Sequence, residues 1–194
     1  MTSRQNADTI RGSFDEFFKA IKILRDAKLI QPCLALLYST MDAAAWLDRP
    51  DEHQDVTKDD FVAWVTRYVL EGRSLRCRAI DLYAARCGML HSFSAYSRLS
   101  RKGEAYHMAY SWGIARREDL ETAVWLMKKD NLAAVHVDDL MTATEEGFET
   151  FLQEVSQDPS RLQKVLDRGG KLYSHLPTIA VQRYNEIKTG ARDA

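Results

Sequence analysis

Cysteine, long apolar runs and the signature loops of common enzymes are scarce or missing in this chain. Its three cysteines, Cys33, Cys77 and Cys87, form no CxxC pair, so neither a disulfide framework nor a zinc site is expected. No stretch reaches the roughly 18 consecutive apolar residues of a membrane span, and the opening segment MTSRQNADTIRGSFDE has no apolar signal core. The expected address is therefore the cytoplasm, with no membrane contact. No GxSxG, P-loop, HExxH or GxGxxG occurs, which removes the corresponding hydrolase, phosphate-loop, zinc-protease and dinucleotide readings. No cofactor or metal is expected.

The 194 residues, 45% apolar and 28% charged, suit one globular domain able to bury a core without covalent help. Internal repeats and linkers that would divide residues 1–194 are absent. The net charge of −1 conceals an uneven distribution: residues 61–130 carry 12 basic and 7 acidic side chains, whereas the segments on either side are net acidic. This basic third contains Arg73, Arg76, Arg78, Arg98, Arg101, Lys102, Arg116 and Arg117. Such a cluster is a candidate phosphate-facing surface, with ordinary solvation as the competing reading.

Apolar spacing predicts mostly helices. Ser13 and Glu16 read as a capping box before Phe14, Phe17, Phe18, Ile21 and Leu24, placing a first helix over 14–28. Pro32 suits the first turn of a second helix with Leu34, Leu37, Tyr38, Met41 and Ala45 on its apolar stripe, closed by Pro50. After the acidic loop DRPDEHQD, Thr57 caps a third helix carrying Phe61, Trp64, Val65 and Tyr68. A fourth follows Gly72 through RCRAIDLYAARCGMLHSF, with Ala79, Leu82, Tyr83 and Leu90 buried.

From residue 104 the period falls to two: Tyr106, Met108, Tyr110 and Trp112 alternate with smaller or polar residues, the pattern of a half-buried strand. ETAVWLMK and LAAVHV read as two more strands joined by a tight turn at Lys129-Asp130-Asn131, although the first also fits a short helix. Asp138 then caps a long helix interrupted only by Gly147, a short helix runs from Pro159 to Gly169-Gly170, and a last helix precedes the tail. The expected fold is mainly α: a bundle of four or more helices with its core over 14–100, a small antiparallel sheet inserted around 104–137, and C-terminal helices over 138–190.

The chemistry-bearing segment is Arg86-Cys87-Gly88-Met89-Leu90-His91. An imidazole moves protons at a ribose 2′-hydroxyl and its leaving oxygen while a guanidinium holds the phosphate, so the two types suffice to cleave RNA without a metal. The R-x4-6-H spacing occurs three times. Arg101 to His107 crosses Gly103 and Arg168 to His175 crosses the Gly169-Gly170 pair, both read as breaks, whereas Arg86 to His91, although it spans Gly88, is expected to lie along one regular helix. At about 100° per residue, Arg86 falls within the stripe of Ala79, Leu82, Tyr83 and Leu90, with His91 at its edge. A charge there requires a partner, a cleft or a subunit interface.

This pattern in a small helical domain resembles the HEPN superfamily of ribonucleases and nucleotide-binding domains. The resemblance covers about residues 14–100 as architecture and Arg86 and His91 as motif. It implies a homodimer with two Arg/His sets lining one groove, His91 as proton-transfer group, Arg86 as phosphate and transition-state stabiliser, and a 2′,3′-cyclic phosphate product. It further implies RNA or a nucleotide as ligand, and a defence or toxin–antitoxin role with a protein antitoxin or regulatory partner. Arg73, Arg76, Arg78, Arg98, Arg101, Lys102 and Tyr96 would bind substrate. Two positions depart from the family: Cys87 stands where a polar residue commonly follows the Arg, and Phe93 stands where a toxin branch carries Tyr.

The alternative is a non-enzymatic helical dimerisation or regulatory module in which Arg86 pairs across the bundle and His91 terminates its helix. Trp46, Trp64, Trp112 and Trp125 read as core or interface aromatics. His107 is expected to face solvent. His-x-Asp-Asp at His136, Asp138 and Asp139 is better explained by a helix cap than by a metal, and His53 and His175 carry no partner signal.

Overall fold

The computed structural model describes residues 3–127 and 131–172. Helix α1 spans Ser3–Asp26 and α2 Ile30–Asp48; α3, Lys58–Trp64, continues into a π-helical segment, Val65–Leu70. Then come α4 (Ala79–Ser92), α5 (Arg98–Arg101), β1 (His107–Ser111), α6 (Arg117–Leu126), β2 (Leu132–His136), α7 (Val137–Gln157) and α8 (Pro159–Gly169). Among the described residues no helix is long and apolar enough to cross a membrane. The helix expected near the C-terminus, with His175, lies outside the described residues.

The helical stripes expected from the sequence form one core, except on α4, where Ala79 and Leu82 are buried as expected but Tyr83 and Leu90 only partly so, the face having turned to Asp81, Ala84 and Gly88. Phe14 and Ile21 of α1, Leu37 and Met41 of α2, Phe61 beyond them and Phe148 and Phe151 of α7 are all sealed from solvent. Phe14 stacks on Phe148 with ring centroids 3.9 Å apart. Helix α1 begins eleven residues before the expected start. Ile10, buried four residues before Phe14, carries the apolar spacing upstream, so Ser13 and Glu16 lie inside the helix. Thr57 caps α3 as expected: its hydroxyl accepts from the Asp60 amide at 3.2 Å, and the Asp60 carboxylate accepts from the Thr57 amide at 2.8 Å.

The sheet differs from expectation. It has two strands, and they are parallel, with His107 opposite Leu132 and Ser111 opposite His136. Parallel strands need a crossover of a dozen or more residues. Residues 121–126 of ETAVWLMK belong to α6, which supplies the crossover: the Arg116 amide donates to Asp119 at 3.2 Å, and Glu118 and Asp119 sit in the first turn, where acids favour the helix dipole. Lys129 and Asp130 of the expected turn lie outside the described residues. Met108 and Tyr110 pack on the helical core, where the Tyr110 and Tyr38 hydroxyls meet. Tyr106 and Trp112, just beyond the strand ends, are exposed, as is Trp125 on α6.

A second correction concerns α7. Its cap is His136, whose Nδ1 accepts from the Asp138 amide at 3.2 Å; Asp138 lies in the first turn and meets Arg25 of α1 at 3.1 Å. Gly147 of α7 faces the π-helical segment so closely that an added Cβ would overlap the Tyr68 carbonyl. There the Tyr68 hydroxyl donates to Glu154 at 2.7 Å and accepts from Arg161 at 2.7 Å, and Arg161 is held in turn by both oxygens of Asp48. The network joins α2, the π-helical segment, α7 and α8.

Two outcomes follow from this packing. Gly147→Ala should destabilise the fold by about 1–3 kcal/mol, because overpacking against backbone outweighs the gain in helix propensity of up to about 1 kcal/mol. Urea denaturation checks it, and a variant more stable than the parent contradicts it. Burial first, then the Glu154 contact, push the Tyr68 hydroxyl from its ordinary 10 to about 12. The unfolded chain thus loses this proton near pH 10 while the fold keeps it. Stability should be unaffected by Tyr68 below pH about 10 and fall by of order 2 kcal/mol as pH rises towards about 12, visible as tyrosinate absorbance that appears with unfolding.

Candidate functional site

Helix α4 carries the candidate site, and its start is fixed by a buried carboxylate. Asp81, fully enclosed, accepts from the Arg78 amide at 2.9 Å, from the Arg78 guanidinium at 2.7 and 3.0 Å, and from the Tyr106 amide at 2.7 Å. The acid therefore caps the first turn of α4, neutralises its neighbour and anchors the chain entering β1. The Arg78 guanidinium lies 4.4 Å from the centre of the Tyr106 ring.

Two turns further along, Arg86 projects towards α2. Its Nη2 donates to Asp42 Oδ2 at 2.6 Å, with the two side chains only 17% and 20% exposed. The pair uses part of its capacity. Arg86 Nε and Asp42 Oδ1 are both buried without a hydrogen-bond partner, and Nη1 reaches only the soft Cys87 sulfur at 3.9 Å. Burial lowers the guanidinium pKa, but the Asp42 contact and charge outweigh it and hold the group above its ordinary value. Burial and the neighbouring Cys87 thiol raise Tyr83, whose ring centre is 6.0 Å from the guanidinium.

His91 stands in the last turn of α4, exposed. Five residues separate it from Arg86, about 140° around the helix and 7.5 Å along it, so one chain directs the two groups to different sides. Beyond it Phe93 ends the helix in the left-handed region, at φ 46°, which a bulky residue adopts only against a steric cost. This turn brings the Ser94 amide to the Gly88 carbonyl at 3.1 Å. Gly88 is required there, since a Cβ would collide with the Ser94 carbonyl. Tyr96, held by its amide to Ser94 Oγ at 3.0 Å, meets the His107 ring edge to face at 4.6 Å.

The other basic side chains divide into two groups. Arg73 bonds the Tyr68 carbonyl and Glu146, Arg76 reaches Glu121 of α6, and Arg78 is held by Asp81. These three are already matched to protein oxygens. Arg98 and Arg101 are exposed and carry no ion pair among the described residues, while Lys102 approaches Glu104 at 3.7 Å. His91, Tyr96, Arg98 and Arg101 thus share the end of the molecule beyond α4, whereas Arg73 and Arg76 sit beside α7 and α6.

Sequence reasoning required a partner for Arg86 but left Asp42 unidentified; the signal was a lone acid in the otherwise apolar run STMDAAAWL. It also passed over Asp81, and His53, which contacts Asp60 at 2.9 Å. A groove of about 1050 Å³ beside the π-helical segment is lined by Arg67 and Arg73 but also by Glu71, Glu146 and Glu154, which makes it a poor anion site. It shares no lining residue with α4. No protein-family model matches the chain, and no curated protein or solved structure shows significant similarity to it.

The Asp42–Arg86 contact is measurable by a double-mutant cycle. Asp42→Ala, which leaves a buried unpaired guanidinium, should cost about 1–3 kcal/mol, with a coupling energy to Arg86→Ala of about 1–2 kcal/mol in chemical denaturation. Additive effects of the two substitutions contradict the pairing.

Proposed function

We propose that this chain is a HEPN-like domain that binds RNA at the face of α4 and cleaves it without a metal, acting as a homodimer. The observation that carries the reading is the half-satisfied guanidinium of Arg86: Asp42 orients it through one nitrogen, while Nε and Nη1 have no oxygen acceptor. A phosphate is a ligand that a guanidinium with donors to spare suits. His91 on the same helix is exposed and carries no partner among the described residues, as a group that takes the 2′-hydroxyl proton requires. Because Arg86 and His91 of one chain diverge, a two-fold arrangement would pair each Arg with the other copy's His.

In the proposed reaction His91 removes the 2′-hydroxyl proton, the 2′-oxygen attacks phosphorus as the P–O5′ bond breaks, and the 5′-oxygen leaves with a proton taken from water. The products are a 2′,3′-cyclic phosphate and a 5′-hydroxyl. Arg86 stabilises the charge that grows on the phosphoryl oxygens. A defence or toxin–antitoxin setting follows from the resemblance alone.

A second reading has its own support. The 2.6 Å Asp42 contact ties α2 to α4, as expected of a non-enzymatic interaction module in which Arg86 is structural. The two diverge in one assay. With purified protein and labelled RNA, His91→Ala should reduce cleavage by about 100-fold or more, unchanged by a chelator and with thermal stability retained. Cleavage that survives the substitution, or no cleavage of any RNA by the parent, favours the module.

A further inference from the structure

We infer that Tyr83 relays the proton of the proposed cleavage: its hydroxyl gives a proton to the departing 5′-oxygen and is recharged from water. This rests on the RNA-cleaving reading above and adds the general acid that His91, engaged as base, does not supply in the same step. Tyr83 and Arg86 stand three residues apart on α4, about 60° around the helix and 4.5 Å along it. The guanidinium carbon lies 6.0 Å from the centre of the Tyr83 ring. Both side chains project where α4 meets α2 and α3: Arg86 bonds Asp42 of α2, and the Tyr83 ring packs against Phe61 of α3 at 5.6 Å. Asp81 and Gly88 lie on the opposite, buried side of the helix.

Phe61 braces the ring, yet Tyr83 is only half-buried. Among the described residues the one polar partner of its hydroxyl is the Cys87 thiol, one turn further along α4. Burial first, then that thiol, hold the hydroxyl above its ordinary range, so it carries its proton at neutral pH. Arg86 acts in the other direction: a guanidinium beside the ring steadies the phenolate that exists between proton loss and recharging. An in-line displacement at phosphorus sets the attacking 2′-oxygen and the leaving 5′-oxygen on opposite sides, so base and acid approach from opposite sides as well. In the two-fold arrangement Arg86 and Tyr83 come from one copy and His91 from the other, as that requirement asks. The step balances. The 2′-O–H bond breaks towards His91, the P–O2′ bond forms, the P–O5′ bond breaks, and the Tyr83 proton passes to the 5′-oxygen. His91 then gives its proton to water, and Tyr83 regains one from water.

The test compares two RNA substrates of one sequence, the natural strand and a strand whose 5′-bridging oxygen at the cleaved bond is replaced by sulfur. A thiolate departs without a proton, so the second strand needs no acid. Tyr83→Phe, which keeps the ring against Phe61, should slow cleavage of the natural strand about 100-fold and leave the sulfur strand within about threefold of the parent rate, whereas His91→Ala should slow both. Equal losses on the two strands assign the ring a positioning role towards Arg86, and a parental rate on the natural strand shows that the hydroxyl takes no part. Either result overturns the inference, as does a loss confined to the natural strand in Cys87→Ala with Tyr83→Phe fully active, which moves the role to the thiol. In each of these cases His91-dependent cleavage persists and the RNA reading stands. No cleavage of either strand by the parent removes both.

Discussion

The end of the molecule that carries the candidate site depends on the buried carboxylate of Asp81. Enclosed completely, it accepts from four N–H groups, three from Arg78 and one from Tyr106. An isolated carboxylate at that depth would cost several kcal/mol. Satisfying it fixes the first turn of α4, and with it the angular position of every later residue on that helix. It also sets where the chain enters β1. The stacking of Arg78 on Tyr106 is a by-product of the same contacts.

Arg86 illustrates the opposite condition. The arginines at 73, 76, 78 and 161 are matched to protein oxygens, most through more than one contact. Arg86 has one oxygen at 2.6 Å, a sulfur at 3.9 Å, and a buried Nε with nothing. Buried polar groups are usually paired, so an exception calls for an explanation. A phosphate, or a group from a second copy, supplies one. The same pair also stabilises α2 against α4, so orientation and stability are joined in a single contact.

Much of this was legible in the chain. The stripes of α2 and α3, the Thr57 cap, the charge on the apolar face of α4 and the stop at Gly169 follow from local spacing and capping chemistry. What failed did so for physical reasons. ETAVWLMK carries a short apolar run that resembles a strand, yet the acids Glu118 and Asp119 before it mark a helix start, and that helix supplies the crossover a parallel pair needs. His136 rather than Asp138 caps α7 because the chain leaves β2 directly into the helix, two residues earlier than the acid. Asp42 and Arg86 lie 44 residues apart, a pairing set by how α2 crosses α4. No local pattern contains that information.

The central claim is that Arg86 and His91 contact RNA phosphate. It is tested most directly by nuclear magnetic resonance, following the Arg86 Nε–Hε signal and the His91 ring signals as a non-cleavable 2′-deoxy or 2′-methoxy oligonucleotide is added. Both should move together and saturate with one dissociation constant, with the Arg86 signal shifting as its unpaired Nε gains an acceptor. An Arg86 signal that stays in place at saturating oligonucleotide, while resonances elsewhere shift, contradicts the account.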